Sequence, residues 1–309
     1  MGVFVLLPLV LPLTAWPMAR LAAHRLHPRA ATLLLSGASA ALGLCSTLCL
    51  GLLAIVGTAQ LPGNPLPDSW AEPEVREAVP QDEVVGETAV GALAAAFLSG
   101  VSLLVRHCRV RRRTERALKG LPGGRVAVLP DQTPYAHTVP GRLGRIVVST
   151  GMLANLDSAA RRVLFAHERS HLANRHHRYL LLAGLAARLN PCLRPLRTAL
   201  AYTVERWADE DAARAVGDRL VTARAVGAAA LISQSPPAPF LTAFAAPGPV
   251  PRRVAALLGP APNAPTWQSL FTSVGLAAWA AAAGTALSAM SSANSAVTLF
   301  LILRAVTPL

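Results

Sequence analysis

The chain alternates between long apolar stretches and polar ones. Residues 3–16, VFVLLPLVLPLTAW, are apolar but short, and Pro8 and Pro12 interrupt them. Residues 31–57 carry no charge and are long enough to cross a hydrocarbon layer of about 30 Å with some tilt. Residues 88–105, rich in Ala, Leu and Val, form another such run. Three N-terminal membrane helices, at about 3–16, 31–57 and 88–105, are therefore expected within a region 1–119. A signal peptide is the alternative for the first run, but no basic residue precedes it and no clear A-x-A site follows. Between the second and third runs, residues 58–87 hold five prolines and seven acids against the lone Arg76, the pattern of a solvated acidic loop. Near the other end, residues 268–290 predict a further span in a region 267–309. Residues 295–307 either cross again after the SSANS segment or never cross, giving one or two C-terminal membrane helices.

The middle of the chain, residues 120–266, has a different rhythm. RVAVLP (125–130), AHTVP (136–140) and RIVVST (145–150) read as short strands, the last two joined as a hairpin through the Gly141 to Gly144 turn. Asp157 can N-cap a helix from Ser158 to about Arg178 whose Leu164, His167 and His171 share a face. Residues 179–189 are apolar yet too short to span, and Asn190-Pro191 ends them. Pro195 suits the first turn of a helix ending near Gly217. A helical stretch 219–233, a Pro-rich loop 235–251 and the short helix RRVAALLG complete an α+β domain.

Charge sets the expected topology. Loop 17–30 contains Arg20, Arg25 and Arg29 without an acid, and segment 106–119 contains six arginines and Lys119. Both are expected in the cytoplasm by the positive-inside rule, with loop 58–87 outside and domain 120–266 in the cytosol. The lipid bilayer is thus an expected partner, in a multi-pass protein of the cell membrane. The net charge of +13 is accounted for by these segments, and with no recognisable nucleic-acid module no nucleic-acid partner is expected. Lys119 is the only lysine among 29 basic residues, which with abundant alanine points to a GC-rich, bacterial genome. The four cysteines show no thiolate-site spacing.

Any metal chemistry must therefore come from His and carboxylates, and the pentad His167-Glu168-Arg169-Ser170-His171 supplies it. Two histidines four apart on a helix lie one turn apart on one face, so both imidazoles reach one ion. Glu168 then sits where a carboxylate can take a proton from water activated by the metal. This is the H-E-x-x-H arrangement of zinc peptidases, implying one Zn2+ per chain and a protein or peptide substrate. Catalytic zinc takes three protein ligands. Glu205, 34 residues after His171 on a helix expected to run antiparallel, is the third candidate. Asp209, one turn further, can accept a hydrogen bond from a ligand imidazole and fix its tautomer. His137, Tyr202 and Arg206 are candidate donors to the oxyanion. The AHTVP strand offers an edge for an extended substrate. His176 and His177 are expected to be solvated or to face headgroups, and Glu210 and Asp211 to form a solvated helix face.

The segments VAVLP, AHTVPGRLGRIVVSTGML, LFAHERSHLANRHH, NP and VERWADEDAA together resemble the membrane-embedded gluzincin peptidases. The likeness is closest to the BlaR/MecR antirepressor type and more distant to the HtpX and CAAX prenyl protease types. It covers roughly residues 120–260. It implies a cytosol-facing zincin-like metallopeptidase domain between membrane helices, with His167, His171 and Glu205 as ligands and Glu168 as base. PRRVAALL resembles the short helix those families carry after the third ligand. In the BlaR type an acidic residue is common where this chain has His176, and a β-lactam sensing role is not carried over. The expected activity is peptide-bond hydrolysis by a membrane-bound endopeptidase in regulatory proteolysis or membrane protein quality control. The alternative is a non-catalytic membrane signalling or scaffold protein retaining the fold, which a structural site closed by a fourth ligand would favour.

Overall fold

The computed structural model describes residues 7–60, 63, 66–71, 82–118, 124–141, 144–233, 250–262 and 273–307. Most of the acidic loop 58–87 and of the Pro-rich loop 235–251, and residues 3–6 and 268–272 of the expected spans, lie outside the described residues.

The described part of the first apolar run, from Leu7, is not one continuous α-helix. A helical turn at Leu7–Val10 passes into a 3-10 turn at Leu11–Thr14 and then into helix α1, Ala15–Arg25. Pro8 and Pro12 remove backbone donors, so the run changes helix type along its length. The expected basic loop 17–30 is accordingly helical, and α2, Pro28–Ala59, starts directly after it with Pro28 in its first turn. Helix α3, Asp82–Ala117, begins earlier than the apolar run and continues through the basic segment. Its arginines are good helix formers, so polarity changes along α3 without ending it.

Among the described residues three helices are long and apolar enough to cross a membrane: Pro28–Ala59, Thr88–Ala117 and Ala282–Val306. The last belongs to α9, Ser273–Val306, a single helix straight through SSANS. The expected spans 268–290 and 295–307 are therefore one element. The reason is packing: Ser288, Ser292 and Ser295 recur at helical spacing and are buried, so the small polar residues form a contact face and not a break. Glycine does the same between α2 and α3. A Cβ on Gly57 would lie 2.4 Å from the backbone of Gly86, so the two helices touch backbone to backbone there.

The outward faces of these helices, among them Leu44, Leu48, Phe97, Leu98, Phe300 and Leu301, are apolar and exposed, as a lipid-facing surface requires.

The central domain begins with strands β1, Val126–Leu129, β2, Ala136–Val139, and β3, Arg145–Ser149. β2 and β3 form the expected hairpin, Val139 opposite Arg145, while β1 adds to β3 in parallel, giving the order β1-β3-β2. After a short turn at Thr150–Ala154 comes α4, Ser158–Ala173, capped as expected by Asp157, which accepts from the Ala160 N–H at 2.7 Å.

Instead of running to Arg178, this helix stops at Asn174, and Arg175 takes a left-handed conformation, φ 52°, before α5, His176–Leu189. Helices α6, Arg194–Val216, α7, Arg219–Ile232, and α8, Val250–Leu258, follow. Gly217, φ 79°, ends α6 as its position past the last apolar residue implies.

The central domain and the apolar helices share one core. Leu35 and Leu42 of α2 pack with Ala183 and Ala186 of α5 and Leu196, Leu200 and Val204 of α6. Two neutral polar contacts pin the same interface. Thr32 and Thr203 hydroxyls lie 3.0 Å apart, and Asn190 donates to the Ser46 hydroxyl at 3.0 Å. Helix α6, which carries Glu205, is thereby fixed against the first long apolar helix.

Candidate metal centre

His167 and His171 project from one face of α4, and α6 packs across that face. The two Nε2 atoms lie 3.0 Å apart. Glu205 brings Oε2 to 3.5 Å from Nε2 of His167 and Oε1 to 3.5 Å from Nε2 of His171. Four-coordinate zinc with bonds of about 2.0–2.1 Å separates its ligand atoms by roughly 3.3 Å. The three donors thus meet at the spacing one such ion needs, and among the described residues they are the group able to hold a metal. Among the described residues no fourth His, Cys or carboxylate joins that group; a catalytic zinc site has three protein ligands and an open fourth position.

The supporting groups come from further along the chain. Asp209, fully buried on α6, places Oδ1 3.0 Å from Nδ1 of His167. The two atoms are close without an aligned N–H, and Nδ1 of His167 is among the buried polar atoms that lack a hydrogen-bond partner. A small rotation of the ring as Nε2 engages an ion would align them.

Arg253 of α8, which sequence reasoning did not single out, grips both carboxylates. Its Nε and Nη2 donate to Asp209 at 2.7 and 2.6 Å, and Nη1 lies 3.0 Å from Glu205 Oε2. It was legible only as a residue of the PRRVAALL stretch, 44 positions beyond Asp209.

Burial alone would raise both carboxyls, but Arg253 outweighs it and holds Glu205 well below its ordinary range and Asp209 below its own. Burial likewise opposes a charge on His167, yet the adjoining carboxylates of Asp209 and Glu205 push it up to about 10. Burial pushes His171 down to about 4. Metal binding would displace the proton from His167, so affinity and pH are linked.

Glu168 is 7% exposed and lines the same cavity as the three donors. Burial, reinforced by the charge of Glu205, pushes its carboxyl up to about 7. A carboxyl titrating near neutrality can both take and return a proton.

The cavity holds about 590 Å³. β2, with Tyr135 and His137, forms one wall, and the basic turns of α3 another, at His107, Arg111 and Thr114. Met152, Val163, Leu164, Val226 and Ala229 make the apolar remainder. Of the three candidate oxyanion donors only His137 lines this cavity. Burial pushes it down to about 4, leaving a neutral imidazole. Tyr202 is instead buried beneath the Arg252 guanidinium, 4.5 Å above its ring. Arg206 is turned toward Glu210 at 3.2 Å.

Three further expectations fail for one reason: the groups are paired inside the fold. Glu210 is 3% exposed, held by Arg206 and by Arg219, which also donates to the carbonyls of Ala256 and Leu257. Asp211 accepts from Ser170 at 2.6 Å and Asn174 at 2.9 Å. His176 is wholly buried, its Nδ1 2.9 Å from Nδ1 of His171. His177, half-buried, does line the cavity.

A two-histidine helix, a carboxylate from a crossing helix and an adjacent buried glutamic acid are the parts that a metallopeptidase centre uses. In a comparison with known families, residues 106–190 match the family described as Peptidase family M48. The match runs from the basic turns of α3 through His167, Glu168 and His171 to the end of α5, and stops before Glu205. No curated protein and no solved structure matches the chain.

Proposed function

We propose that the protein is a membrane-bound zinc endopeptidase of gluzincin type, cleaving a protein substrate at the cytoplasmic face. The observation that carries this reading is the convergence of His167, His171 and Glu205 beside Glu168 in one cavity. His and carboxylate donors in a three-ligand set suit zinc, which when bound supplies Lewis acidity and lowers the pKa of water.

The protein's own groups do the rest. Glu168 accepts a proton from the attacking water and returns it to the leaving amine. His137 donates to the developing oxyanion from the β2 wall. β2 pairs on one side with β3, and its other edge can take an extended peptide by main-chain hydrogen bonds. Asp209, clamped by Arg253, holds His167 in the tautomer that presents Nε2.

The location of the cavity supports the cytoplasmic face. His107, Arg111 and Thr114 lie on the turns of α3 just past its apolar part, and these basic turns belong inside by the positive-inside rule. Such a placement suits membrane-proximal segments of protein substrates, as in regulatory proteolysis of the BlaR/MecR type or quality control.

The test uses purified protein in detergent, with labelled casein as substrate. Wild type is expected to hold about one zinc per chain and to cleave. Glu168→Gln should keep the zinc and lose cleavage, while Glu205→Ala should lose both. A wild type that binds no zinc overturns the reading.

A further inference from the structure

The two histidines at the centre are held in different ways. His167 faces a carboxylate, Asp209. His171 faces a second imidazole, and that arrangement rests on a deliberate break in the chain. In a continuous helix, residue 176 would be turned about 140° away from residue 171. The left-handed Arg175 breaks the helix and folds α5 back, so that Nδ1 of His176 comes to 2.9 Å from Nδ1 of His171. A non-glycine residue in that conformation costs on the order of 1 kcal/mol, which the surrounding packing must offset.

His176 has no solvent exposure, and its ring centre lies 4.7 Å from that of Trp207 on α6. Trp207 is in turn covered by the Arg29 guanidinium, 5.6 Å from its centre, and flanked by Tyr179. The imidazole is thus locked in place from the first turn of α2.

We propose that His176 is a positioning residue whose neutral imidazole accepts the Nδ1–H of His171 and so fixes the tautomer in which His171 offers Nε2 to the ion. This rests on the metallopeptidase reading above and adds a residue to it.

The proton count allows one arrangement compatible with ligation. His171 must bear its proton on Nδ1, so Nδ1 of His176 must be bare and its own proton must sit on Nε2. Nε2 of His176 is buried without a hydrogen-bond partner, and the adjacent indole offers it a π face. The reverse arrangement would put a proton on Nε2 of His171 and block the ion. An imidazole in this place orients the ligand without adding a third buried negative charge to Glu205 and Asp209, which share Arg253.

The experiment measures zinc affinity by chelator competition in detergent, on the full chain. His176→Phe keeps an aromatic ring against Trp207 but has no acceptor. His176→Asn puts Oδ1 where Nδ1 was. The Phe variant should bind zinc about 10- to 100-fold more weakly and alter the visible spectrum of the cobalt-substituted protein. The Asn variant should recover most of the affinity, and the metal-free thermal transitions of the two should coincide.

Phe within twofold of wild type, or Phe and Asn equally weak, overturns the proposal. His167→Ala separates this from failure of the metal centre itself. Zinc lost in His167→Ala but unchanged in His176→Phe sinks only the role of His176. A wild type without zinc sinks both.

Discussion

Helix α6 passes through two environments. Its first half buries Leu196, Leu200 and Val204 completely against α1, α2 and α5, and its polar contact there is the neutral pair Thr203 and Thr32. Its second half buries Glu205, Asp209 and Glu210, each bound by a guanidinium. One helix therefore anchors by apolar packing at one end and by ionic clamps at the other. Buried hydroxyls cost little when they meet a partner or a carbonyl of their own helix, whereas buried carboxylates demand a cation. Charge is concentrated where chemistry needs it and kept away from the interface with the apolar helices.

The largest effect should come from removing a clamp. Arg253→Met leaves Asp209 and Glu205 with His167 in place of a guanidinium as their cationic partner and is expected to destabilise the metal-free protein by up to about 3–5 kcal/mol. Denaturant unfolding in detergent reads this, and added zinc should recover part of the loss by engaging Glu205. An effect below about 1 kcal/mol would erase the contrast between the two halves.

On the apolar side, Leu200→Ala should cost about 2–5 kcal/mol while leaving zinc affinity unchanged. A parallel loss of zinc would mean that the two halves of α6 are one cooperative site.

The cavity wall gives a pH signature. Burial lowers His137 to about 4 from the ordinary 6.5. Below 6.5 the unfolded chain takes up a proton that the folded one refuses until about pH 4. Its contribution is therefore fully present above 6.5 and is lost between 6.5 and 4, with a slope approaching 1.4 kcal/mol per pH unit. The difference between wild type and His137→Gln in melting temperature against pH isolates this from the other histidines. Parallel curves would remove His137 from the buried wall.

The smallest effect is expected from Thr203→Val, about 0.5–1.5 kcal/mol, since Thr32 keeps its bond to the Pro28 carbonyl at 2.9 Å. A cost as large as that of Arg253→Met would invert the comparison.

What the sequence by itself determined was local. The spacing of His167 and His171 on an amphipathic helix, the Asp157 cap, the Gly217 stop, the β2–β3 hairpin and the long apolar runs all follow from rules acting over a few residues. Glu205 was legible for the same reason, as an acid one turn before Asp209 on a helix expected to follow the histidine pair.

The tertiary structure decided what joins distant positions. Arg253 reaches Asp209 from 44 residues away, and Arg219 reaches Glu210 around Gly217. His176 turns inward at a break that neither glycine nor proline announces. The serines of α9 look like a loop until their buried face on a neighbouring helix is seen. Periodicity and caps report on backbone geometry, which is local. Whether a charge is solvated or clamped depends on which elements come to lie across it, and only the folded chain sets that.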